Sequence, residues 1–353
     1  MLVSSFTFTI FGLVGIASHA VLASPTPTST PADISALVSS SSVSSNATAS
    51  ILPRLQPISY ANTSTLLNVG YFEDGPASGE VVILMHGNPY GIDVYIDMVP
   101  ELVKKGYRVI VPYIRGFGET TFLHQDTPRS SEQAALGSDL VALMDALHIQ
   151  KAILAGFDWG TVVVNVVAAL WPERCSGMVA ANSYLIQNRD TAWIPSSPEA
   201  EAAKWYYYLF LTPRGFNAIA QSPREMARVL WEKNTSPPWN FTEAELDRAS
   251  TAFDNPDYVD IVVNFYRNRL LYAPGDPVYA KLAEALDKQP KISVPSVTLD
   301  PTDAVIFPAT NGSSTAQYFT GPRVHHIIPN CGENIPQQAP QAFVDAIVEV
   351  STL

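Results

Sequence analysis

Gly156-Phe157-Asp158-Trp159-Gly160 is the stretch from which this chain is best read. Ahead of it, Lys151-Ala152-Ile153-Leu154-Ala155 has the apolar run of a short buried strand. Behind it, Thr161-Val162-Val163-Val164-Asn165-Val166-Val167-Ala168-Ala169-Leu170 reads as a helix. A G-x-nucleophile-x-G pentapeptide between a strand and a helix makes a sharp, strained turn that pushes the central side chain into a cleft. The central residue here is Asp158, a carboxylate and not a hydroxyl. A carboxylate attacks saturated carbon, as in an epoxide or an alkyl halide, and is left as an ester. The plainer reading is a glycine-flanked Asp in an ordinary strand-to-helix turn, and the neighbouring motifs weigh against it.

Working outward, apolar or alternating runs predict strands over 66–72, 81–85, 107–113 and 177–181, with helical spacing over 93–105 and 131–147. Strands alternating with helices imply a mostly parallel sheet covered on both faces. Around Asn182 the pattern changes. Trp205, Tyr206, Tyr207, Tyr208, Phe210, Trp231, Trp239, Phe265 and Tyr266 crowd a helix-rich stretch, with breaks at Ser236-Pro237-Pro238 and Asp254-Asn255-Pro256. Most of these aromatics read as that stretch's own core. Strand patterns return over 293–299 and 323–328, and 341–350 is a closing amphipathic helix. The reading is an α/β core in two parts, 53–182 and 291–353, with a helical cap, 183–290, inserted between them.

The first 23 residues have the form of a secretory signal peptide. The apolar run over 6–17 is too short to span a bilayer comfortably, and Val21-Leu22-Ala23 suits cleavage, although no Lys or Arg precedes the run. An uncleaved anchor is the weaker alternative. Residues 24–52 are rich in Ser, Thr and Pro, with the composition of a flexible, O-glycosylated stalk. N-x-[ST] tripeptides at Asn46, Asn62, Asn234, Asn240 and Asn311 add to the expectation of a secreted, extracellular glycoprotein with no membrane attachment after cleavage. Asn234 is the weakest of them, because Pro237 lies close behind. Across the 353 residues, 47% are hydrophobic and 15% charged, which suits a globular chain with a sizeable core. A formal net charge of −12 argues against nucleic acid and anionic membranes as partners. The two cysteines, Cys175 and Cys331, would ordinarily pair in a secreted chain. In a parallel sheet, however, Cys175 lies where a strand is entered and Cys331 where one is left, beyond bridging distance. Two unpaired thiols are expected, with Cys331 near the active site.

The pentapeptide, with His86-Gly87-Asn88-Pro89 after one apolar strand and Arg115-Gly116-Phe117-Gly118 after the next, resembles the α/β-hydrolase fold, on the branch of epoxide hydrolases and haloalkane or haloacetate dehalogenases. The resemblance runs over nearly all of 53–353. It implies Asp158 as nucleophile and an oxyanion hole made of the Asn88 and Trp159 amides, two N–H groups aimed at one developing charge. It implies a structural role for His86. The tight turn also makes Asn88–Pro89 a candidate cis bond. Two cap tyrosines mark the epoxide-hydrolase side, because phenols donate to the epoxide oxygen as the ring opens. Tyr206 and Tyr266 resemble that pair, although Tyr207 or Tyr208 could take the place of Tyr206. The substrate implied is a small apolar molecule. No cofactor or metal is implied.

One position departs from the family. In the loop Asn330-Cys331-Gly332-Glu333-Asn334-Ile335-Pro336, Glu333 stands where the resemblance calls for the water-activating His. No other histidine is an obvious substitute: His19 lies in the signal, His124 and His148 on the periphery, and His325 and His326 low on a strand. Asp303, with Asp300 as the weaker option, is the expected third member and the neighbour of Glu333. Two carboxyl groups under one lid disfavour double ionisation, so one of them should bind its proton tightly. Three readings stay open. Glu333 activates water in an epoxide hydrolase. Alternatively, Asp158 or Glu333 takes a proton from the substrate's own hydroxyl, giving a non-hydrolytic cyclase or isomerase. Or catalysis is impaired and the cleft binds a ligand.

Overall fold

The computed structural model describes residues 53–353. The signal-peptide and stalk readings and the Asn46 sequon lie outside these residues. Among the described residues nine strands form one sheet: β1 (Ile58–Asn62), β2 (Leu67–Asp74), β3 (Val81–Met85), β4 (Arg108–Pro112), β5 (Thr121–Phe122), β6 (Ala152–Gly156), β7 (Cys175–Ala181), β8 (Ser296–Pro301) and β9 (Arg323–Ile328). The spatial order is β1-β2-β4-β3-β6-β7-β8-β9, with β5 paired to β2. Pairings of β2 with β1, β4 and β5 are antiparallel, and every pairing from β4 across to β9 is parallel.

The central strands are apolar because both of their faces are covered. β6 is buried at every position, and β3 and β7 at nearly every one. The helix Trp159–Leu170 packs on this sheet and against the helix Gln133–Ala146. Its run of β-branched valines is a weak helix former, yet Val162, Val163, Val164, Val166 and Val167 are all buried, so packing outweighs propensity.

Between β7 and β8 the chain is helical, including Trp205–Phe210, Pro223–Asn234 and Tyr258–Arg269. Side-chain caps start several of these helices. Thr242 closes a capping box with Glu245, and Thr212 accepts the Gly215 N–H.

The structure alters some local expectations. The helix predicted over 93–105 is two pieces, a 3-10 turn Ile92–Tyr95 and a helix Val99–Lys104, with Pro100 in the first turn of the second. Proline has no N–H to continue a helix but fits its start. β1 and β5 were not expected, since both are edge strands with partly exposed residues and little apolar signal. Cys175 opens β7 and Cys331 follows β9, and both are buried free thiols. Asn62, Asn240 and Asn311 are exposed. Asn234 is half-buried: its side-chain oxygen is buried, its carbonyl accepts the Val305 N–H at 3.0 Å, and Thr235 is buried beside it.

Candidate active site

Asp158 takes φ +52° and ψ −125°, left-handed backbone in which a side chain is strained. Close approach of the turn to its surroundings enforces this. A Cβ on Gly160 would overlap the Met85 carbonyl of β3, and a Cβ on Gly156 would overlap Gly160 itself. The Thr161 hydroxyl, between the carbonyls of Gly156 and Ala181 at 3.0 and 2.8 Å, ties the turn to the ends of β6 and β7. The result is a carboxylate raised at the carboxyl end of the sheet, where ligand sites in open α/β folds form.

Backbone amides meet that carboxylate. Asn88 donates its N–H to Oδ1 at 2.7 Å, and Trp159 donates as well. Gly87 is required here, since a Cβ would overlap the Asp158 carboxylate. Asn88–Pro89 is cis. Burial raises Asp158 to about 6, opposed by the Asn88 and Trp159 amides and by the charge of Arg269. His86 is buried beneath. Its Nδ1 bonds the Gly87 carbonyl at 2.9 Å and its Nε2 accepts the Ile114 N–H at 3.1 Å. Burial pulls this imidazole down to about 4, so it stays neutral and braces the loop.

Phenols cover the carboxylate. The Tyr206 and Tyr266 rings are 5.5 Å apart, and Tyr207 lies 4.9 Å from the first and 4.7 Å from the second. Asn88 Nδ2 donates to the Tyr266 oxygen at 3.4 Å, while the Tyr258 hydroxyl donates to Asn88 Oδ1 at 3.1 Å. Trp159 lies flat on Phe265 at 3.8 Å. Tyr206 and Tyr207 both feel the charges of Asp158 and Glu333. Tyr208 does not belong to this group: it is 45% exposed and donates its hydroxyl to Glu201. Tyr90 was missed. It is buried, stacks on Trp231 at 5.3 Å, and feels the same two carboxyl groups. Its place directly after His86-Gly87-Asn88-Pro89 was the available signal.

Glu333 follows β9 and is 6% exposed. Its Oε1 accepts the Ile306 N–H at 3.0 Å and the Phe307 N–H at 3.3 Å. Burial first, and then the charge of Asp158, raise it to about 8, against the pull of those two amides. Asp158 therefore ionises first, and its charge keeps the proton on Glu333. Of the two carboxyl groups, Glu333 is thus the one that holds its proton more tightly.

The pairing expected between Asp303 and Glu333 is not what the structure holds. Asp303 Oδ1 accepts the Thr302 hydroxyl at 2.8 Å, and its N–H bonds the Cys331 carbonyl at 2.8 Å. The loop after β8 turns its backbone N–H groups, not that carboxylate, toward Glu333. Asp300 is occupied by the Thr310 N–H and hydroxyl, at 3.0 and 2.8 Å. His325 bonds Thr298 and the Thr310 carbonyl, and His326 bonds Glu349, so neither serves the cleft. His124 and His148 are exposed. Among the described residues no group of three or more His, Cys, Asp and Glu side chains is arranged to hold a metal ion.

An elbow carboxylate under two backbone amides, on a sheet of this order, defines the α/β-hydrolase architecture. The chain belongs to that family: the model for the alpha/beta hydrolase fold matches residues 80–289. Its relatives place it on the epoxide hydrolase branch. The crystal structure of a candidate epoxide hydrolase from Klebsiella pneumoniae subsp. pneumoniae MGH 78578 is 41% identical, with a TM-score of 0.82, over 85% of this chain and 98% of that one. Epoxide hydrolase A of Mycobacterium tuberculosis (strain ATCC 25618 / H37Rv) is 24% identical over 310 residues, 79% of this chain and 92% of that protein. Epoxide hydrolase B of the same strain is 33% identical over 138 residues, 39% of this chain, and the match spans 38% of that relative's length.

Proposed function

We propose that this protein opens an epoxide on a small, largely apolar molecule and hydrolyses the resulting ester, with Glu333 serving where a histidine would be expected. The observation that carries the proposal is the elbow carboxylate of Asp158 on the Asn88 N–H, with the buried Glu333 held by the Ile306 and Phe307 N–H groups and kept protonated partly by the Asp158 charge. In the resting state ionised Asp158 attacks an epoxide carbon, the C–O bond breaks, and an ester forms. Tyr206 and Tyr266 donate hydrogen bonds to the departing oxygen, and Glu333 supplies the proton that makes it a hydroxyl. Esterification removes the Asp158 charge, one of the two causes that keep Glu333 protonated. Glu333, now a carboxylate, takes a proton from water. The hydroxide adds to the ester carbonyl, whose oxyanion rests on the Asn88 and Trp159 amides. Collapse expels the alkoxide, which takes the proton of the newly formed Asp158 acid, so a diol leaves and Asp158 is again a carboxylate. Epoxide plus water gives diol, and the proton that Glu333 lends in the first half returns to it in the second.

The high proton affinity of resting Glu333 also favours a second reading, in which no ester forms. Asp158 takes a proton from the substrate's own hydroxyl, Glu333 with the phenols protonates the epoxide oxygen, and a cyclic ether results.

Turnover of an apolar epoxide in heavy-oxygen water separates the two. A diol carrying the label supports the hydrolase, and an unlabelled cyclised product supports the second reading. A persistent adduct on Asp158 with no product counts against both and leaves a binding protein. Glu333→His adds a control. Hydrolysis that appears only in this variant would show that the natural chain does not hydrolyse.

A further inference from the structure

The helical segment encloses a cavity of about 380 Å³ whose wall includes Tyr207, Tyr208, Lys204, Glu201 and Arg269, with Trp193 at its rim. Tyr207 also belongs to the phenol layer, 4.7 Å from Tyr266, so this cavity abuts the candidate active site. Trp193 is 74% exposed and Tyr272, also on the wall, 71%, an apolar mouth open to solvent.

Three charged side chains face the cavity, and one of them, Arg269, makes no ion pair or side-chain hydrogen bond among the described residues although its charge reaches Asp158. Glu201 accepts the Tyr208 hydroxyl and the Ser196 N–H, and Lys204 lies within reach of its charge. Arg269 lies over the Phe265 ring at 5.9 Å, and among the described residues its guanidinium has neither a carboxylate nor a hydrogen-bond partner. Arg115, Arg129 and Arg189 are paired with Asp139, Asp257 and Asp287, while Arg248 and Arg267, like Arg269, make no ion pair among the described residues; what sets Arg269 apart is that it lines this cavity and its charge reaches both Asp158 and Tyr207. Phe265, beneath the guanidinium, lies on Trp159, the residue after Asp158. Arg269 is also one helical turn beyond Tyr266 on Tyr258–Arg269, which puts their backbones about 4.5 Å apart along the axis. A half-buried, unpaired guanidinium in a cavity is a fork of donors without an acceptor, suited to a carboxylate.

We propose that Arg269 is a specificity-determining residue, selecting epoxides that carry a carboxylate a few atoms from the ring. This rests on the epoxide-opening reading for its chemistry but not for its binding. The apolar body would lie against Tyr207 and Leu270, and the carboxylate would complete the Arg269 fork, offsetting its repulsion from Asp158. The net charge of −12 makes such a local cation more necessary for an anionic ligand.

The test compares 3-phenylpropionate with 3-phenylpropanamide by calorimetry, and phenylglycidate with its primary amide by kcat/KM, on the full chain. The natural protein should favour the carboxylate by about tenfold or more in both, as expected of a hydrogen bond to a charged group. Arg269→Gln should bring both ratios near unity, and Arg269→Lys should keep part of the preference. Parity in the natural protein, or an unchanged ratio in Arg269→Gln, overturns the proposal. An Arg269 that only tunes Asp158 would affect both members of each pair alike and leave the ratio unmoved, and so counts against it too. If the carboxylate preference holds in calorimetry while neither epoxide is opened, selection by Arg269 stands and the epoxide-opening function falls. If both epoxides are opened equally well, the outcome is reversed.

Discussion

Asp158 keeps the proton on Glu333: its charge, added to burial, lifts the Glu333 carboxyl to about 8, while Asp158 itself stays near 6. Ring opening in the proposed mechanism needs the first ionised and the second protonated. The pH profile of kcat/KM should therefore be a bell, falling below about 6 as Asp158 is protonated and above about 8 as Glu333 ionises. Initial-rate measurements from acid to alkaline pH check this. A rate that keeps rising through the alkaline range would remove Glu333 as the proton source.

The same pair governs stability. The folded-state value of Glu333 lies above its ordinary 4.5, so the folded chain binds this proton more tightly than the unfolded one. Its favourable contribution is complete below about 4.5 and is lost as pH rises through about 8. Glu333→Gln keeps an oxygen for the Ile306 and Phe307 amides but carries no charge. It should match the natural protein near pH 5 and exceed it near pH 9 by on the order of a few kcal/mol. Denaturant unfolding at the two pH values measures the difference, and equal gaps at both would show that Glu333 does not titrate as described.

Removing each carboxyl should stop the reaction at a different stage. Asp158→Asn retains an acceptor for the Asn88 N–H and should fold, but kcat should drop at least about a thousandfold with no covalent adduct. Glu333→Gln lacks both the proton for ring opening and the base for the second half, so it should form the Asp158 ester slowly, with only the phenols assisting, and then hold it, visible in the intact mass after long incubation. An adduct in neither variant, with labelled diol from the natural protein, would point to direct attack by water.

The phenols should be unequal. Tyr206→Phe and Tyr266→Phe should each lower kcat by about a hundredfold or more, the loss of one positioned donor. Tyr208 points to solvent and pairs with Glu201, so Tyr208→Phe should leave kcat within about threefold, as for exposed substitutions generally. A large loss at Tyr207 with none at Tyr206 would move the donor role by one residue.

The elbow glycines make a structural prediction. Gly160→Ala would drive a methyl into the Met85 carbonyl of β3, a backbone atom that cannot turn aside. It should lower the melting temperature by several degrees or prevent folding, at a cost of about 1–3 kcal/mol or more. Gly87→Ala meets the Asp158 carboxylate instead, and should reduce activity more than stability. Thermal scans beside rate measurements separate the two effects.

The parallel core was legible because its strands are buried on both faces and read as unbroken apolar runs, as in Val81–Met85 and Ala152–Gly156. The elbow was legible because only glycine fits where a turn touches backbone. β1 and β5 were not, because exposed edge strands carry little apolar periodicity. That the Asp303 carboxylate bonds Thr302 and not the Glu333 side chain was illegible for a related reason: a loop's path after a strand is set by backbone hydrogen bonds, here Asp303 N–H to the Cys331 carbonyl, that leave no mark on residue type.

Local chemistry written in residue order was enough to specify the sheet, the sharp turn with its lone carboxylate, and a glutamate in the last loop. Only the folded chain decided that backbone amides of Ile306 and Phe307 hold that glutamate, that Tyr208 turns away while Tyr207 turns in, and that Arg269 lines the cavity beside Tyr207. The division has a physical cause. Apolar periodicity and glycine contacts act through near neighbours in sequence. Proton affinity and pairing depend on which distant groups share one dry space, and that is known only once the chain has closed around them.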